Sequence, residues 1–201
     1  GNHGWDETNG TKIGACIFSD SSYHALESQR GFFQPCIAET TNFSNFAYQV
    51  EMSINSGSQD GIIFRANTVT GSFYLFRVDT DGKYALDLYH NNKLAVTLSQ
   101  GYTTAINTSL KQTNEMAVIA YKSTIYLYDN KTFIASVTDN SLSSGKIGVF
   151  AIDYFAPSEA AFTNAQVWNV TATTFSVTPT PSESPTATAT ASPSATSTSG
   201  P

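Results

Sequence analysis

The 201-residue sequence has no cluster of basic residues and no long apolar run. Its ten Lys and Arg residues stand singly between Lys12 and Lys146, against 16 acidic residues, for a formal net charge of −6. Nucleic acids and anionic membrane surfaces both attract clustered positive charge, so we expect neither as a partner. No apolar stretch approaches the ~18 residues of a spanning helix, so we expect no direct membrane insertion.

Motifs that carry common catalytic chemistry are also missing. The sequence shows no Gly-rich phosphate loop, no serine nucleophile elbow and no Cys/His dyad. Its three histidines lack the spacing of metal ligands. Glycoside hydrolysis needs two carboxyl groups about 5–9 Å apart; Asp79 and Asp81 have a suitable spacing, but Asp81 and the following glycine predict a hairpin turn. The sequence therefore favours a protein that is not an enzyme.

Only two cysteines are present, Cys16 and Cys36. An even pair in a polar chain rich in Tyr, Thr and Asn favours a disulfide in an exported protein. The alternative is two buried free thiols in a cytosolic protein. The composition of the C-terminal segment points to export as well, so we predict the disulfide and an extracellular or cell-surface location.

The last 31 residues differ in composition from the rest. Residues 171–201 hold 10 Thr, 7 Ser, 5 Pro and 5 Ala, so these four types fill 27 of the 31 positions. Such a segment buries too little apolar surface to offset the entropy lost on ordering. We predict one folded domain over residues 1–170, followed by a disordered linker or tail that acts as a spacer.

Alternating apolar and polar residues dominate the predicted domain. The clearest run is Phe46–Ile54, in which every second residue is apolar, as expected for a strand with one buried face. Further strands are predicted at 61–66, 73–78, 84–89, 93–98, 116–121, 124–128, 132–137, 146–152 and 161–170, with two or three shorter strands before residue 40.

Turn-forming dipeptides separate these strands, and no stretch of twelve residues has helical periodicity. Only residues 102–111 suit a short helix or an irregular crossover. Many short strands without helices are typical of sandwiches and jelly rolls. We therefore predict an all-β fold, a two-sheet antiparallel jelly-roll sandwich.

Several segments resemble the concanavalin A-like lectin/glucanase superfamily: FSNFAYQVEMSI, GIIFRAN, SFYLFRVDTDGKYAL, STIYLYDNKTFIASV, GKIGVFA and AFTNAQVW. Within it the sequence is most similar to laminin-G-like and 3-keto-disaccharide hydrolase-like domains. The Cys16–Cys36 region also resembles extracellular domains of bacterial membrane serine/threonine kinases. The resemblance covers residues 13–170 and implies the fold, because this superfold hosts enzymes, lectins and adhesion modules alike.

Strand parity predicts a polar sheet face that is a candidate ligand site. If the strands are neighbours, one face carries six polar side chains: Gln49, Glu51, Arg65, Arg77, Asp87 and Tyr89. Arg and carboxylate groups can hydrogen-bond sugar hydroxyls, and Tyr89 can stack on a ring. The alternative is a ladder of cross-strand salt bridges on a solvated surface. Ile63, Phe73 and Leu75 share this face and make it more apolar than a solvated surface needs.

Two further predictions concern calcium and Trp168. Calcium is common in the superfamily, and Asp79 and Asp81 supply oxygen ligands for part of such a site. Apart from calcium, the sequence indicates no cofactor. Trp168 ends the last predicted strand, where we expect it to fill the core of the sandwich.

Three functions remain open from the sequence. The favoured one is a non-catalytic extracellular binding or sensor module that recognises a glycan or another cell-surface polymer. The second is a structural surface protein that associates with copies of itself. The third is a hydrolase of a disaccharide derivative, which only the resemblance suggests.

Overall fold

The structure, a computed structural model, describes residues 4–8 and 14–172. The predicted tail lies outside the described residues, except for positions 171 and 172. The described part contains no helix, as predicted, and thirteen strands. They are β1 (Gly14–Ser19), β2 (Ser22–Glu27), β3 (Phe33–Ile37), β4 (Phe46–Ser56), β5 (Gln59–Asn67), β6 (Ser72–Asp79), β7 (Lys83–His90), β8 (Lys93–Tyr102), β9 (Thr113–Tyr121), β10 (Thr124–Asp129), β11 (Thr132–Thr138), β12 (Lys146–Ile152) and β13 (Ser158–Asn169).

The strands form two antiparallel sheets. The seven-stranded sheet has the order β1-β2-β13-β4-β9-β10-β11, and the six-stranded sheet has the order β3-β12-β5-β6-β7-β8. The chain passes from one sheet to the other six times, after β2, β3, β4, β8, β11 and β12. The passage between β8 and β9, residues 103–112, is an irregular crossover rather than a helix. The two-sheet sandwich predicted from the sequence is therefore confirmed.

The main core lies between the two sheets. It is built from the inward-facing residues of strands in which buried and exposed positions alternate. On β4 the whole predicted set is buried, and its partners across the core come from β5, β6 and β7. The main-core side chains of these four strands are Phe46, Tyr48, Val50, Met52, Ile54, Ile62, Phe64, Tyr74, Phe76, Val78 and Leu86. Removing such side chains from water provides the main driving force for folding.

A second apolar cluster covers part of the outer face of the six-stranded sheet. Ile63, Phe73 and Leu75 belong to it, and all three are buried. Phe33 and Tyr89 pack against this cluster at its edge. The apolar residues that the sequence places on this face therefore pack against one another within the protein.

Two β-bulges change which face the following residues occupy. In β5, Phe64 pairs with Tyr74 and Asn67 with Ser72, so three steps on β5 match two on β6. Arg65 lies in this bulge with a φ of 48°. An extra residue inverts the alternation of a strand. As a result Ala66, which strict alternation from Ile62 and Phe64 would place in the main core, packs in the outer cluster instead.

The second bulge lies in β13. Thr163 pairs with Glu51 and Gln166 with Gln49, so three steps oppose two. Phe162 points into the core before the bulge, whereas Trp168 is exposed after it. The prediction that Trp168 fills the core is therefore wrong, because the inserted residue reverses the parity that the prediction assumed.

The predicted disulfide is present between Cys16 and Cys36. It joins β1 of the larger sheet to β3 of the smaller one, and both half-cystines are fully buried. Closing a loop with a sequence separation of 20 restricts the unfolded chain and stabilises the fold by about 3 kcal/mol.

A search of the described residues for a helix that could span a membrane finds none.

Candidate functional site

A pocket of about 560 Å³ opens on the outer face of the six-stranded sheet. It lies at the end of that face opposite to the apolar cluster, beside the turn between β6 and β7 and the loop between β12 and β13. We call it the Arg77 pocket. Its lining residues are Ser58, Gln59, Arg77, Asp79, Thr80, Asp81, Lys83, Asp87, Tyr89, Leu94, Ile152, Tyr154 and Phe155.

A chain of hydrogen bonds crosses the floor of the Arg77 pocket. Thr97 Oγ1 donates to Asp87 Oδ1 at 2.6 Å, and Arg77 Nε donates to Asp87 Oδ2 at 2.9 Å. Arg77 Nη1 donates to Gln59 Oε1 at 3.1 Å. Gln59 Nε2 in turn donates to Asp79 Oδ2 at 2.6 Å. Side chains of four adjacent strands are thereby held in one fixed arrangement.

Arg77 is the polar group best placed to contact a ligand. Its partner Asp87 is only 2% exposed, whereas the Arg77 side chain is 19% exposed at the pocket floor. An arginine has five N–H groups, and two of those on Arg77 are used within the floor. The other three have no partner among the described residues. A buried carboxylate thus orients a guanidinium whose free N–H groups can donate to oxygen atoms of a ligand.

Neighbouring strands can bring these side chains together because one position between them lacks a side chain. Gly61 pairs with Arg77 on β6 and with Phe150 on β12. A Cβ at this position would collide with the backbone carbonyl of Phe76. Glycine therefore permits β5 and β6 to approach closely beneath the Arg77 side chain.

Asp79 and Asp81 lie at the rim of the same pocket. Asp79 accepts a hydrogen bond from Gln59, and Asp81 accepts one from the backbone N–H of Lys83 at 3.0 Å. Burial raises the pKa of Asp79, and repulsion from Asp81 raises it further, while the bond from Gln59 acts in the opposite direction. The second oxygen of each carboxylate has no hydrogen bond from the described residues, so both can serve as acceptors or cation ligands.

The donor set is small for a metal site. Within the described residues, no group of three or more His, Cys, Asp or Glu side chains could hold a metal ion. Calcium usually takes six to eight oxygen ligands. A calcium ion at Asp79 and Asp81 would therefore depend on backbone oxygens, water or the ligand itself, and calcium binding stays a prediction.

Aromatic side chains border the pocket on two sides. Tyr89 stacks on Phe73 with ring centroids 4.9 Å apart, and it meets Phe33 edge-on at 5.3 Å. Burial raises the pKa of Tyr89, and the charge of Asp87 adds to this effect. From the loop between β12 and β13, Tyr154 and Phe155 project with Phe155 71% exposed. An exposed ring beside a polar floor is the arrangement on which an amphipathic ring can stack.

Two predicted ligand residues lie in the other sheet. Gln49 and Glu51 are on β4, which pairs with β13 and β9 rather than with β5. Glu51 accepts hydrogen bonds from Thr163 Oγ1 at 3.2 Å and from Asn164 Nδ2 at 2.9 Å. The prediction that Gln49 and Glu51 share a face with Arg77 is wrong, because alternation shows which side of a strand is buried but not which sheet the strand joins.

Arg65 is also absent from the pocket. The bulge in β5 turns its side chain into the protein, where it is fully buried. There it donates to the backbone oxygens of Ser44 at 2.7 Å, Lys122 at 2.9 Å and Leu142 at 3.0 Å. Burial lowers the pKa of Arg65. Arg65 therefore ties three loops together, and its predicted place beside Arg77 is wrong.

The pocket contains residues that the sequence did not single out. Gln59 lies in the floor, Leu94 and the Tyr154–Phe155 pair form the rim, and Thr97 supports the floor from outside the pocket through its bond to Asp87. Two adjacent aromatic residues in a loop are a signal that could have revealed the rim, because binding residues lie on loops more often than on the strands that support them. No comparable signal marks Gln59, whose partners depend on sheet order.

Comparison with solved structures identifies the fold. The chain is similar to the carbohydrate binding module CBM66 from Bacillus subtilis, with a TM-score of 0.60 and 18% identity over 82% of this chain and 94% of that chain. It is also similar to a Bacillus subtilis protein of unknown function with a galectin-like fold, with a TM-score of 0.59 and 14% identity over 82% and 89% of the two chains. Sheep galectin-11 matches 70% of this chain and 98% of its own length at a TM-score of 0.50 and 12% identity.

The chain therefore has the two-sheet sandwich fold shared by galectins and this carbohydrate binding module. That fold agrees with the predicted resemblance to the concanavalin A-like superfamily. The resemblance to laminin-G-like domains, and that to extracellular domains of serine/threonine kinases, stay predictions. No family model and no curated protein matches the sequence.

Proposed function

We propose that the chain is a non-catalytic carbohydrate-binding module and that its ligand occupies the Arg77 pocket. The observation that carries this proposal is the pairing of a fixed polar floor with an exposed aromatic rim. Arg77 offers three free N–H groups, Asp79 offers one free acceptor oxygen, and Phe155 offers a ring. Sugar rings carry hydroxyl groups at their edges and C–H groups on their faces. The polar floor can hydrogen-bond the hydroxyl groups, and the ring of Phe155 can stack on a C–H face.

The similar structures support the same proposal at the level of the fold. The CBM66 protein is a carbohydrate binding module by name, and galectin-like folds occur twice among the structures described above. The disulfide supports an extracellular location, because such bonds persist in oxidising compartments. A sensor role for the module would require a further domain to transmit binding.

The non-catalytic part of the proposal rests on how the carboxylates are engaged. Both oxygens of Asp87 already accept hydrogen bonds, one of them from Arg77. A nucleophile or base needs an oxygen that can approach the substrate. Asp87 is better suited to hold Arg77 than to attack a glycosidic bond.

One observation favours a hydrolase as the second candidate. The raised pKa of Asp79 is a property of general acids in glycosidases. Release of reducing ends from soluble polysaccharides by the wild type, lost in Asp79→Asn, would establish this activity. If the protein binds a polysaccharide but releases no reducing ends from it, the hydrolase is rejected and the binding module is the proposal that stands.

The proposal is tested by binding of the 201-residue chain to a panel of soluble polysaccharides, measured by affinity electrophoresis and calorimetry. Two variants probe the pocket: Phe155→Ala removes the exposed ring, and Arg77→Lys keeps the charge of the floor but removes the guanidinium fork. Tyr102→Ala is the matched control, because Tyr102 is an exposed aromatic residue that lines neither this pocket nor the groove described below.

We expect binding by wild type and Tyr102→Ala, and at least about a tenfold loss in Phe155→Ala and Arg77→Lys. Thermal unfolding of each variant shows whether the fold is kept. A wild-type protein that is folded but binds nothing on the panel would contradict the proposal. So would binding that both pocket variants retain in full.

A further inference from the structure

A second groove, on the opposite side of the molecule, has the features of another sugar site. It has a volume of about 210 Å³ and lies on the outer face of the seven-stranded sheet. Cavities of about 150 Å³ already accommodate a benzene ring. We call it the Trp168 groove; Trp168 and Tyr128 form its walls, and Ala47, Gln49 and Ala117 lie on its floor.

The register of the sheet explains this shape. Trp168 pairs with Ala47, and Tyr128 pairs with Ala117. Between these positions lie β4 and β9, so three strand spacings, or about 14 Å, separate the two aromatic walls. Ala47 on β4 and Ala117 on β9 are small, so the groove is a channel across the strands with an aromatic ring at each side.

The bulge in β13 is what presents Trp168 to this groove. Trp168 is 47% exposed although it sits on a strand whose preceding apolar residues face the core. On the far wall, Tyr128 packs edge-on against Phe133 with ring centroids 5.6 Å apart. Phe133 is itself 52% exposed. Exposed aromatic residues that flank a groove mark a binding surface more often than isolated apolar side chains do.

Polar groups lie between the aromatic walls. The Gln49 side chain makes no hydrogen bond within the described part of the chain, although it is partly buried. At the edge of the groove, Glu115 and Lys131 approach to 3.8 Å. An amide with free donors and acceptors, set between two rings, matches a ligand that has both hydroxyl groups and apolar faces.

The exposed apolar area argues against a protein partner. Of the large hydrophobic side chains exposed in the described part of the chain, Trp168 lines this groove, and Phe133 lies behind its wall, packed against Tyr128. Each aromatic side chain can bury 150–250 Å², so the two half-exposed rings offer roughly 200 Å² together. A stable protein interface buries about 800 Å² per partner. The groove is therefore too small for a stable protein interface, and its size suits a single narrow polymer chain.

Charge narrows the class of that chain. The protein carries a formal net charge of −6, and within the groove the charge of Lys131 is balanced by Glu115. An anionic polymer would be repelled by the protein as a whole without a compensating positive site. A neutral chain meets no such cost.

We propose that the Trp168 groove is a second binding site, for a neutral polysaccharide of pyranose sugars. Sugar faces stack on Trp168 and Tyr128, and hydroxyl groups exchange hydrogen bonds with Gln49. This site lies on the opposite sheet from the Arg77 pocket, and its existence does not depend on the function of that pocket.

Tryptophan fluorescence tests the proposal directly. The chain has two tryptophans, and Trp5 packs against Tyr23 away from this groove. In a Trp5→Phe protein, all tryptophan emission comes from Trp168. The probes are hydroxyethyl cellulose, galactomannan and arabinoxylan, which are neutral and soluble. We expect at least one of them to protect Trp168 from acrylamide quenching and to shift its emission to shorter wavelength.

Variants separate the two sites. Trp168→Ala should lower affinity for the same polysaccharide by about tenfold or more, and Gln49→Ala should lower it less. Arg77→Lys should leave the protection of Trp168 unchanged, and Tyr102→Ala should match wild type. Protection of Trp168 without any effect of Arg77→Lys would uphold this inference even if the Arg77 pocket binds nothing. Binding that responds only to Arg77→Lys would overturn the inference and leave the proposed function standing.

Two other outcomes would also overturn the proposal. One is that Trp168 stays equally accessible to acrylamide with every probe, while Trp168→Ala binds as wild type. The other is that Trp168 becomes protected as protein concentration rises without polysaccharide, with a matching increase in mass by sedimentation. That result would assign the groove to self-association instead.

Discussion

The carboxyl group of Asp129 provides a quantitative test of the structure. Asp129 ends β10 on the inward side of the strand, in line with the buried residues Ile125 and Leu127. It is fully buried, and neither carboxylate oxygen has a hydrogen-bond partner among the described residues. Burial raises the pKa of Asp129 to about 8, with a further contribution from repulsion by Glu115.

The raised pKa makes stability fall as the pH rises. The folded protein keeps a proton on Asp129 that the unfolded chain releases above its ordinary pKa of 3.8. The contribution of this proton to stability is complete below pH 3.8 and is lost progressively as the pH rises toward 8. Each pKa unit corresponds to 1.36 kcal/mol, so titration of Asp129 should lower the free energy of unfolding of wild type by about 4 kcal/mol between pH 4 and pH 7.

The variant Asp129→Asn cannot ionise and should not show this loss. Its unpaired amide costs about 1–2 kcal/mol at every pH. We therefore expect Asp129→Asn to be less stable than wild type at pH 4 and more stable by roughly 2–3 kcal/mol at pH 7. Stability is measured by urea unfolding at one-unit intervals of pH.

The informative quantity is the difference between the variant and wild type. Burial also raises the pKa of Asp60, so its titration adds a slope that both proteins share. Subtraction removes that slope. Asp20→Asn, at an exposed position, is the matched control and should give a difference near zero. A difference for Asp129→Asn that does not change between pH 4 and pH 7 would refute the reasoning.

Three further predictions address the disulfide, the buried arginine and calcium. Replacing Cys16 and Cys36 together by Ser should lower the free energy of unfolding by about 3 kcal/mol, as measured by urea unfolding; an unchanged midpoint would show that the loop constraint contributes nothing. Arg65→Met keeps the apolar stem but leaves three backbone oxygens without their donor, and should cost about 3 kcal/mol or more in the same assay, whereas a loss below about 1 kcal/mol would contradict the role assigned to the side chain. Calcium at Asp79 and Asp81 predicts that millimolar calcium chloride raises the Tm of wild type but not that of the double Asn variant; equal Tm values with calcium and with chelator would exclude the site.

Strand positions were predictable because one residue pattern reports burial directly. The run Phe46–Ile54 alternates without interruption, and β4 places all of its apolar members in the core. The later strands also lie where alternation and turn dipeptides predict them, with bounds that differ by a few residues. The pairing of Cys16 with Cys36 followed from composition, since the chain offers no other cysteine.

The candidate site was predictable only in part, because its geometry depends on sheet order and bulges. Arg77, Asp87 and Tyr89 were predicted together, and they do line one pocket since their strands are neighbours both in sequence and in space. Gln49 lies on a strand whose pairing partners are distant in sequence, and alternation carries no information about them. Arg65 occupies a bulge that its residue type does not favour, because non-glycine residues seldom adopt positive φ.

The bulge in β13 also gives a criterion for reading related sequences. A substitution at Trp168 changes one side chain, whereas the loss of one residue near Asn164 would reverse the orientation of every later residue in the strand. In an alignment of relatives of this chain, a gap of one position at this bulge would therefore show which side of the strand after it faces solvent in each relative. Relatives with the gap would hide the tryptophan between the sheets, and relatives without it would display the tryptophan outside, even where the residue itself is the same in both groups.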